Sequence, residues 1–104
     1  MVDLRSDTVS RPTAAMREAI AHAAVGEDAL GDDPTVRHLE QRIADILDKE
    51  AALFFASGIM ANETALAAIA TPGTEVICEA RCHFVDWELG GPSFIARVQL
   101  RGVP

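Results

Sequence analysis

At 104 residues the chain has length for one modest domain and too little for two. Its apolar fraction of 49% and charged fraction of 24% fit a globular protein, and none of its apolar runs is long enough to span a bilayer. A net charge of −7, with no lysine or arginine cluster to offset it locally, argues against nucleic acid and anionic membranes as partners. Met1-Val2-Asp3 carries neither a basic region nor an apolar core, so no signal peptide is expected. Cys78 and Cys82 are no disulfide framework; reduced thiols and a cytoplasmic location are expected. Lys49 is the single lysine.

The first stretch, Asp3 to Pro12, is dense in hydroxyls and charges and is expected to be an irregular arm. Ser6, Asp7 and Thr8 offer three side-chain oxygens in a row, which suit either solvent or a binding site. Pro12 and Thr13 open a predicted helix through about Ala24. Met16, Ala19, Ile20 and Ala23 give it one apolar face, and Gly26 is a plausible stop.

The loop from Val25 to Pro34 carries four carboxylates, Glu27, Asp28, Asp32 and Asp33. Hard cations want oxygen ligands, but the EF-hand spacing is missing and no glutamate closes a cage. Helix entry is the better reading, with Asp33 as N-cap and Pro34 as first helical residue. Thr35 to Lys49 then reads as the clearest helix, with Val36, Leu39, Ile43, Ile46 and Leu47 on one stripe. Lys49 sits at its C-terminal end, where a cation complements the helix dipole.

Ala51 to Ala56 is uninterruptedly apolar and predicts a strand buried on both faces. Ser57-Gly58 turns the chain into a helix from about Ile59 to Ala70, apolar nearly all round. The first amides of that helix lack intrahelical partners and sit at the positive end of its dipole, so Ser57-Gly58-Ile59 is a candidate phosphate seat. An ordinary capped strand-to-helix turn is the alternative. Thr71 to Thr74 is a turn, and Glu75 to Cys78 a second strand, which together predict a parallel βαβ unit.

Cys78, Cys82 and His83 raise the question of zinc, but the spacing is unusual and a fourth ligand is not evident. His83 instead falls just past the C-terminal end of a strand, the edge where open α/β sheets bind ligands, and the Ser57-Gly58 turn leaves its strand at the same edge. Trp87 and Glu88 follow about one helical turn later, and Gly90-Gly91-Pro92 ends that element. Arg97 to Arg101 alternates like a half-buried strand, with no partner evident, and suggests a piece of something longer.

These residues resemble a known family. Asp3-Leu4-Arg5-Ser6-Asp7-Thr8-Val9, Gly31-Asp32-Asp33-Pro34-Thr35-Val36, Lys49-Glu50-Ala51-Ala52-Leu53-Phe54, Ser57-Gly58-Ile59-Met60-Ala61-Asn62, and His83 with Glu88 and Gly90-Gly91 stand in the order and spacing of the N-terminal part of the threonine aldolases. The resemblance covers essentially the whole chain. It implies an α/β fold, the N-terminal portion of the fold-type-I (aspartate aminotransferase-like) large domain, with an incomplete parallel sheet and residues 1–104 forming arm, helices and first βαβ unit.

It also implies pyridoxal 5'-phosphate (PLP) as cofactor and retro-aldol cleavage of threonine or allo-threonine to glycine and an aldehyde. By the same resemblance Ser57, Gly58 and Ile59 hold the cofactor phosphate. His83 stacks on the ring near the substrate hydroxyl. Ser6 helps hold the substrate carboxylate, and Trp87 borders the side-chain pocket. A homo-oligomer is implied, a tetramer in the full-length family, and no metal.

Two positions depart from the pattern: Ile59 stands where the family usually has threonine, and Leu30 where it usually has tyrosine. Lys49 does not match the lysine that tethers the cofactor, so the chain alone is expected to be inactive. Two other classes remain as alternatives: a non-catalytic module that associates through the apolar Ile59–Ala70 helix, and a metal module built on Cys78, Cys82 and His83.

Overall fold

A computed structural model describes residues 2–104, apart from the side chain of Asp7, so the expectation for that side-chain oxygen lies outside the described residues. The chain divides into two compact units, one ending at Leu53 and the other running from Phe54 to Pro104.

In the first unit, Asp7–Val9 forms a 3-10 turn, and helix α1 spans Ala14–Ala21. The hydroxyl of Thr13 caps α1 by accepting from the amide of Met16 at 3.2 Å. The helix ends at His22, several residues before Gly26. Gly26 therefore is not a helix stop. A Cβ there would sit 2.5 Å from the carbonyl oxygen of Asp32, so the glycine permits the chain to pass against the entry of the next helix.

Helix α2 spans Pro34–Leu47 and begins as its sequence dictates. Asp33 Oδ1 accepts from the amides of Thr35 and Val36, both at 2.9 Å, and Oδ2 accepts from Gly26 at 3.0 Å. These amide donors, that of Val36 foremost, hold the Asp33 carboxyl below its usual range against the opposing effect of burial. The Thr35 hydroxyl donates to the carbonyl of Ala24 at 2.6 Å, which pins the loop to the helix. Asp48, in a left-handed conformation (φ 51°), ends α2 just before Lys49.

In the second unit, helix α3 spans Gly58–Ile69 and β1 spans Glu75–Glu79. A short helix α4 (His83–Asp86), a π-helical turn (Pro92–Ala96) and β2 (Gln99–Val103) follow. β1 and β2 pair in parallel, with Glu75 opposite Gln99 and Glu79 opposite Val103. Two expectations change here. Ala51–Ala56 is not a strand: a strand needs a hydrogen-bonded neighbour, and among the described residues this segment has none. The terminal segment does have a partner, which is β1. The parallel crossover is thus β1–(α4 and π turn)–β2, and the strand order expected around α3 does not form.

Leu66 of α3 packs with Ala96 and Val98, and Ala70, Val76, Phe84 and Leu100 close around them. Gly73 turns the chain into β1 at φ +86°, where an L side chain would be strained. Arg101 Nε meets Glu75 Oε2 at 2.7 Å across the strand pair. α3 buries only Glu63 and Leu66; Ile59, Met60 and Ile69 remain exposed, so its all-round apolarity is not covered by this chain. No helix among the described residues is long and apolar enough to cross a membrane.

Candidate active site

The N-terminus of α3 is built by Ser57. Its extended backbone (φ −149°, ψ 155°) stops the helix ladder, and its hydroxyl accepts the amide of Met60 at 3.1 Å. The Ser57 carbonyl accepts the amide of Ala61 at 3.1 Å. The amides of Gly58 and Ile59 have no hydrogen-bond partner among the described residues and remain free to meet an anion. Outside its chain neighbours and its own turn of helix, a Cβ on Gly58 would meet nothing within 4 Å, so no packed neighbour demands a glycine there. The vacant space is what close approach of a ligand to the backbone requires. Ile59 contributes an amide and no hydroxyl.

One turn along the same helix, Asn62 Nδ2 donates to Glu88 Oε1 at 2.8 Å. His83 Nδ1 lies 2.8 Å from that same oxygen. A carboxylate only accepts, so Nδ1 carries a proton, and whenever the ring is neutral Nε2 is its acceptor. The Glu88 side chain is fully buried, while that of His83 is 54% exposed. The imidazole is therefore anchored on its inner nitrogen and open on the other side. Burial opposes ionisation of Glu88, but the hydrogen bonds from Asn62 and His83 help outweigh it, and its carboxyl lies below the usual range.

Glu63, next to Asn62, is 3% exposed, and the edge of its carboxyl fills the space a Cβ on Gly91 would take. Burial first, then the neighbouring Glu88, pushes the Glu63 carboxyl up.

The structure thus ties His83, through Glu88 just past α4, to Asn62 on the helix that Ser57, Gly58 and Ile59 begin. It does so by side-chain hydrogen bonds and not, as the sequence suggested, by a shared sheet edge, since only β1 of the two expected strands forms. Trp87 caps the C-terminus of α4, its amide bonded to the His83 carbonyl at 2.9 Å and its side chain exposed. Ser6 belongs to the first unit, where its hydroxyl meets that of Thr8 at 2.9 Å. Asn62 and Glu63 escaped the sequence reading. The signal was there: a polar pair at successive positions of an otherwise apolar helix.

Cys78 and Cys82 are free and half-buried, and Cys78 Sγ faces the carbonyl of Arg101 at 3.8 Å. Burial, and then the adjacent Cys82, pushes the Cys78 thiol up. No group of three histidine, cysteine or acidic side chains among the described residues is placed to hold a metal ion.

The sequence model of the beta-eliminating lyase family matches residues 3–104. The chain belongs to that family. It is 50% identical over 103 residues to low-specificity L-threonine aldolase 1 of Arabidopsis thaliana, covering 98% of this chain and 29% of that protein. It is 44% identical over 99 residues to the low specificity L-threonine aldolase of Escherichia coli K12, covering 95% of this chain and 30% of that protein. A more distant relative, 31% identical over 102 residues and matched over 97% of this chain and 26% of its own length, is the alanine racemase TOXG of Cochliobolus carbonum. The chain spans less than a third of the length of these relatives.

Proposed function

We propose that this chain supplies the phosphate seat and the histidine face of a PLP-dependent lyase that cleaves β-hydroxy-α-amino acids to glycine and an aldehyde. The observation that carries the reading is the pairing of two unpartnered amides at Gly58 and Ile59 with an imidazole tied to the same helix one turn further on. These residues fit the cofactor: the amides suit its phosphate, and the open position at Gly58 leaves room for it. Bound there, PLP supplies an electron-withdrawing ring for the electron pair released at Cα.

The chain's own residues then have distinct tasks. Ser57 sets the helix start and so aims the amides. His83, with its proton fixed on Nδ1, offers Nε2 to the substrate hydroxyl and its ring face to the cofactor. Trp87 borders the space for the substrate side chain, and Ser6 takes the substrate carboxylate. This assignment rests on the family register and carries with it the fold-type-I large domain for residues 1–104, a homo-oligomer that covers the exposed apolar positions of α3, and a cytoplasmic location suited to two free thiols. Lys49 follows the capped end of α2 and is not the tethering lysine, so this chain alone binds the phosphate without turning over.

The experiment is a titration of the isotopically labelled chain with PLP, followed by amide resonances, beside an acetaldehyde assay with L-allo-threonine. Gly58 and Ile59 are expected to shift first and together, with no acetaldehyde released. Shifts centred elsewhere, with Gly58 and Ile59 unmoved, overturn the seat; acetaldehyde release overturns the requirement for a lysine other than Lys49.

A further inference from the structure

Beneath His83 lie two buried carboxyls and too few donors for both. Glu63 is 3% exposed and Glu88 6%. Glu88 Oε1 takes Asn62 and His83, but Glu88 Oε2 and both oxygens of Glu63 are buried with no hydrogen-bond partner among the described residues. Two ionised carboxylates enclosed side by side repel and lose their hydration, so neighbouring carboxyls of this kind cannot both ionise. A single proton between them pairs Glu88 Oε2 with one oxygen of Glu63, one acid donating and the other accepting, and leaves only the second Glu63 oxygen as an acceptor without a donor.

We propose that Glu63 is kept as a neutral carboxylic acid that donates to the carboxylate of Glu88, and that it thereby acts as a positioning residue for His83. The donors decide which partner keeps the proton. Glu88 already accepts from Asn62 and from His83 Nδ1, and both favour its charged form. Glu63 has no donor of its own and is enclosed by Gly91, whose missing side chain makes the room its carboxyl occupies. Burial and the adjacent Glu88 push Glu63 up, while the donors around Glu88 hold it down, which is the same ordering. The π-helical turn that packs on α3, Pro92–Ala96, brings no ionisable side chain, and the groups that act on the two acids are Asn62, His83 and the acids themselves.

The arrangement has a consequence for the ring. With Glu63 donating to it, Glu88 is a fixed acceptor, and it holds a proton of His83 on Nδ1, so that the neutral ring is the Nδ1–H tautomer. The use of that Nε2 in proton transfer rests on the lyase reading of His83; the location of the Glu63 proton does not.

The test uses the full chain, labelled with nitrogen-15, and two substitutions of nearly the same volume. Glu63→Gln keeps a donor toward Glu88, and Glu63→Met removes it. At neutral pH the unsubstituted chain is expected to show an infrared carbonyl band of a protonated carboxyl that Glu63→Gln abolishes. With its ring neutral, His83 is expected to show protonated Nδ1 and unprotonated Nε2 in the ring-nitrogen spectrum. Glu63→Gln should leave that ring spectrum unchanged, and Glu63→Met should lose the single tautomer. A carbonyl band absent from the unsubstituted chain overturns the proposal, as does a neutral His83 ring whose proton is on Nε2, or a Met variant whose ring spectrum matches that of Gln. If Glu63→Met does not fold, the band and the Gln comparison still decide. None of these measurements uses cofactor or substrate. Failure of PLP to reach Gly58 and Ile59 overturns the lyase reading alone, and absence of the carbonyl band from the unsubstituted chain overturns the Glu63 proposal alone.

Discussion

Asn62 and Glu88 stand 26 positions apart and meet at 2.8 Å, and through that bond His83 is tied to α3. The bond is polar and part-buried, so its loss leaves a carboxylate short of a donor with little access to water. Asn62→Ala should destabilise the chain by about 1–3 kcal/mol, the range for stripping a partner from a buried polar group. Denaturant unfolding measures it. Asn62→Asp should cost more than Asn62→Ala, because it sets a third carboxylate beside Glu63 and Glu88.

Gly91 and Glu63 form a second testable pair. A Cβ on Gly91 enters the space of the Glu63 carboxyl, which is enclosed and cannot swing to solvent. Gly91→Ala should cost about 1–3 kcal/mol by overpacking. Combined with Glu63→Ala, the loss should be smaller than the sum of the two single losses by about 0.5–3 kcal/mol, as expected of residues in contact. Additive losses would place the strain of Gly91→Ala somewhere other than Glu63.

The two acids also set how stability varies with pH. The Glu63 carboxyl is raised from the ordinary glutamate value of 4.5, so the folded chain holds that proton longer than the unfolded one. Its contribution is complete below 4.5 and is lost as pH rises through the raised folded value. Glu88 is lowered, so its contribution is present above 4.5 and is lost as pH falls through the depressed folded value. Stability should therefore decline on both sides of the ordinary carboxylate range. Glu63→Gln, which does not titrate, should flatten the decline on the alkaline side and leave the acid side in place. Unfolding midpoints across pH for the two proteins check this.

How much of this was legible in sequence depends on whether the signal was local. Asp33-Pro34 starts α2 and Ser57 caps α3 as the residues alone predict, because a cap is made within a few positions of itself. The Ala51–Ala56 strand failed for the complementary reason. Its apolar run describes an environment, a sheet covered on both faces, that no other described segment provides. Gly26 was assigned to the wrong task because its constraint comes from Asp32, six residues away in sequence and touching in space. The candidate site divides the same way. Ser57, Gly58 and His83 could be named from a turn and a register. The Asn62–Glu88–His83 link could not, since nothing local joins position 62 to position 88.

Gly58 separates folding from binding, because the chain itself has no use for a glycine there. Its φ is not positive, and beyond its chain neighbours and its own turn of helix a methyl group would meet no atom within 4 Å. Gly58→Ala should keep stability or raise it by about 0.4–1 kcal/mol, through the reduced freedom of the unfolded chain. Ser57→Ala should act oppositely: it removes the acceptor for the Met60 amide and should cost about 1 kcal/mol. Toward PLP the order changes. The added methyl of Gly58→Ala occupies the space through which a phosphate approaches the amides of Gly58 and Ile59, so the variant should bind PLP more weakly while unfolding at an equal or higher temperature. Isothermal titration with PLP, paired with thermal unfolding of the unliganded chain, reads both quantities. Equal affinity in Gly58→Ala and the unsubstituted chain would show that the phosphate does not approach the α3 backbone at this position.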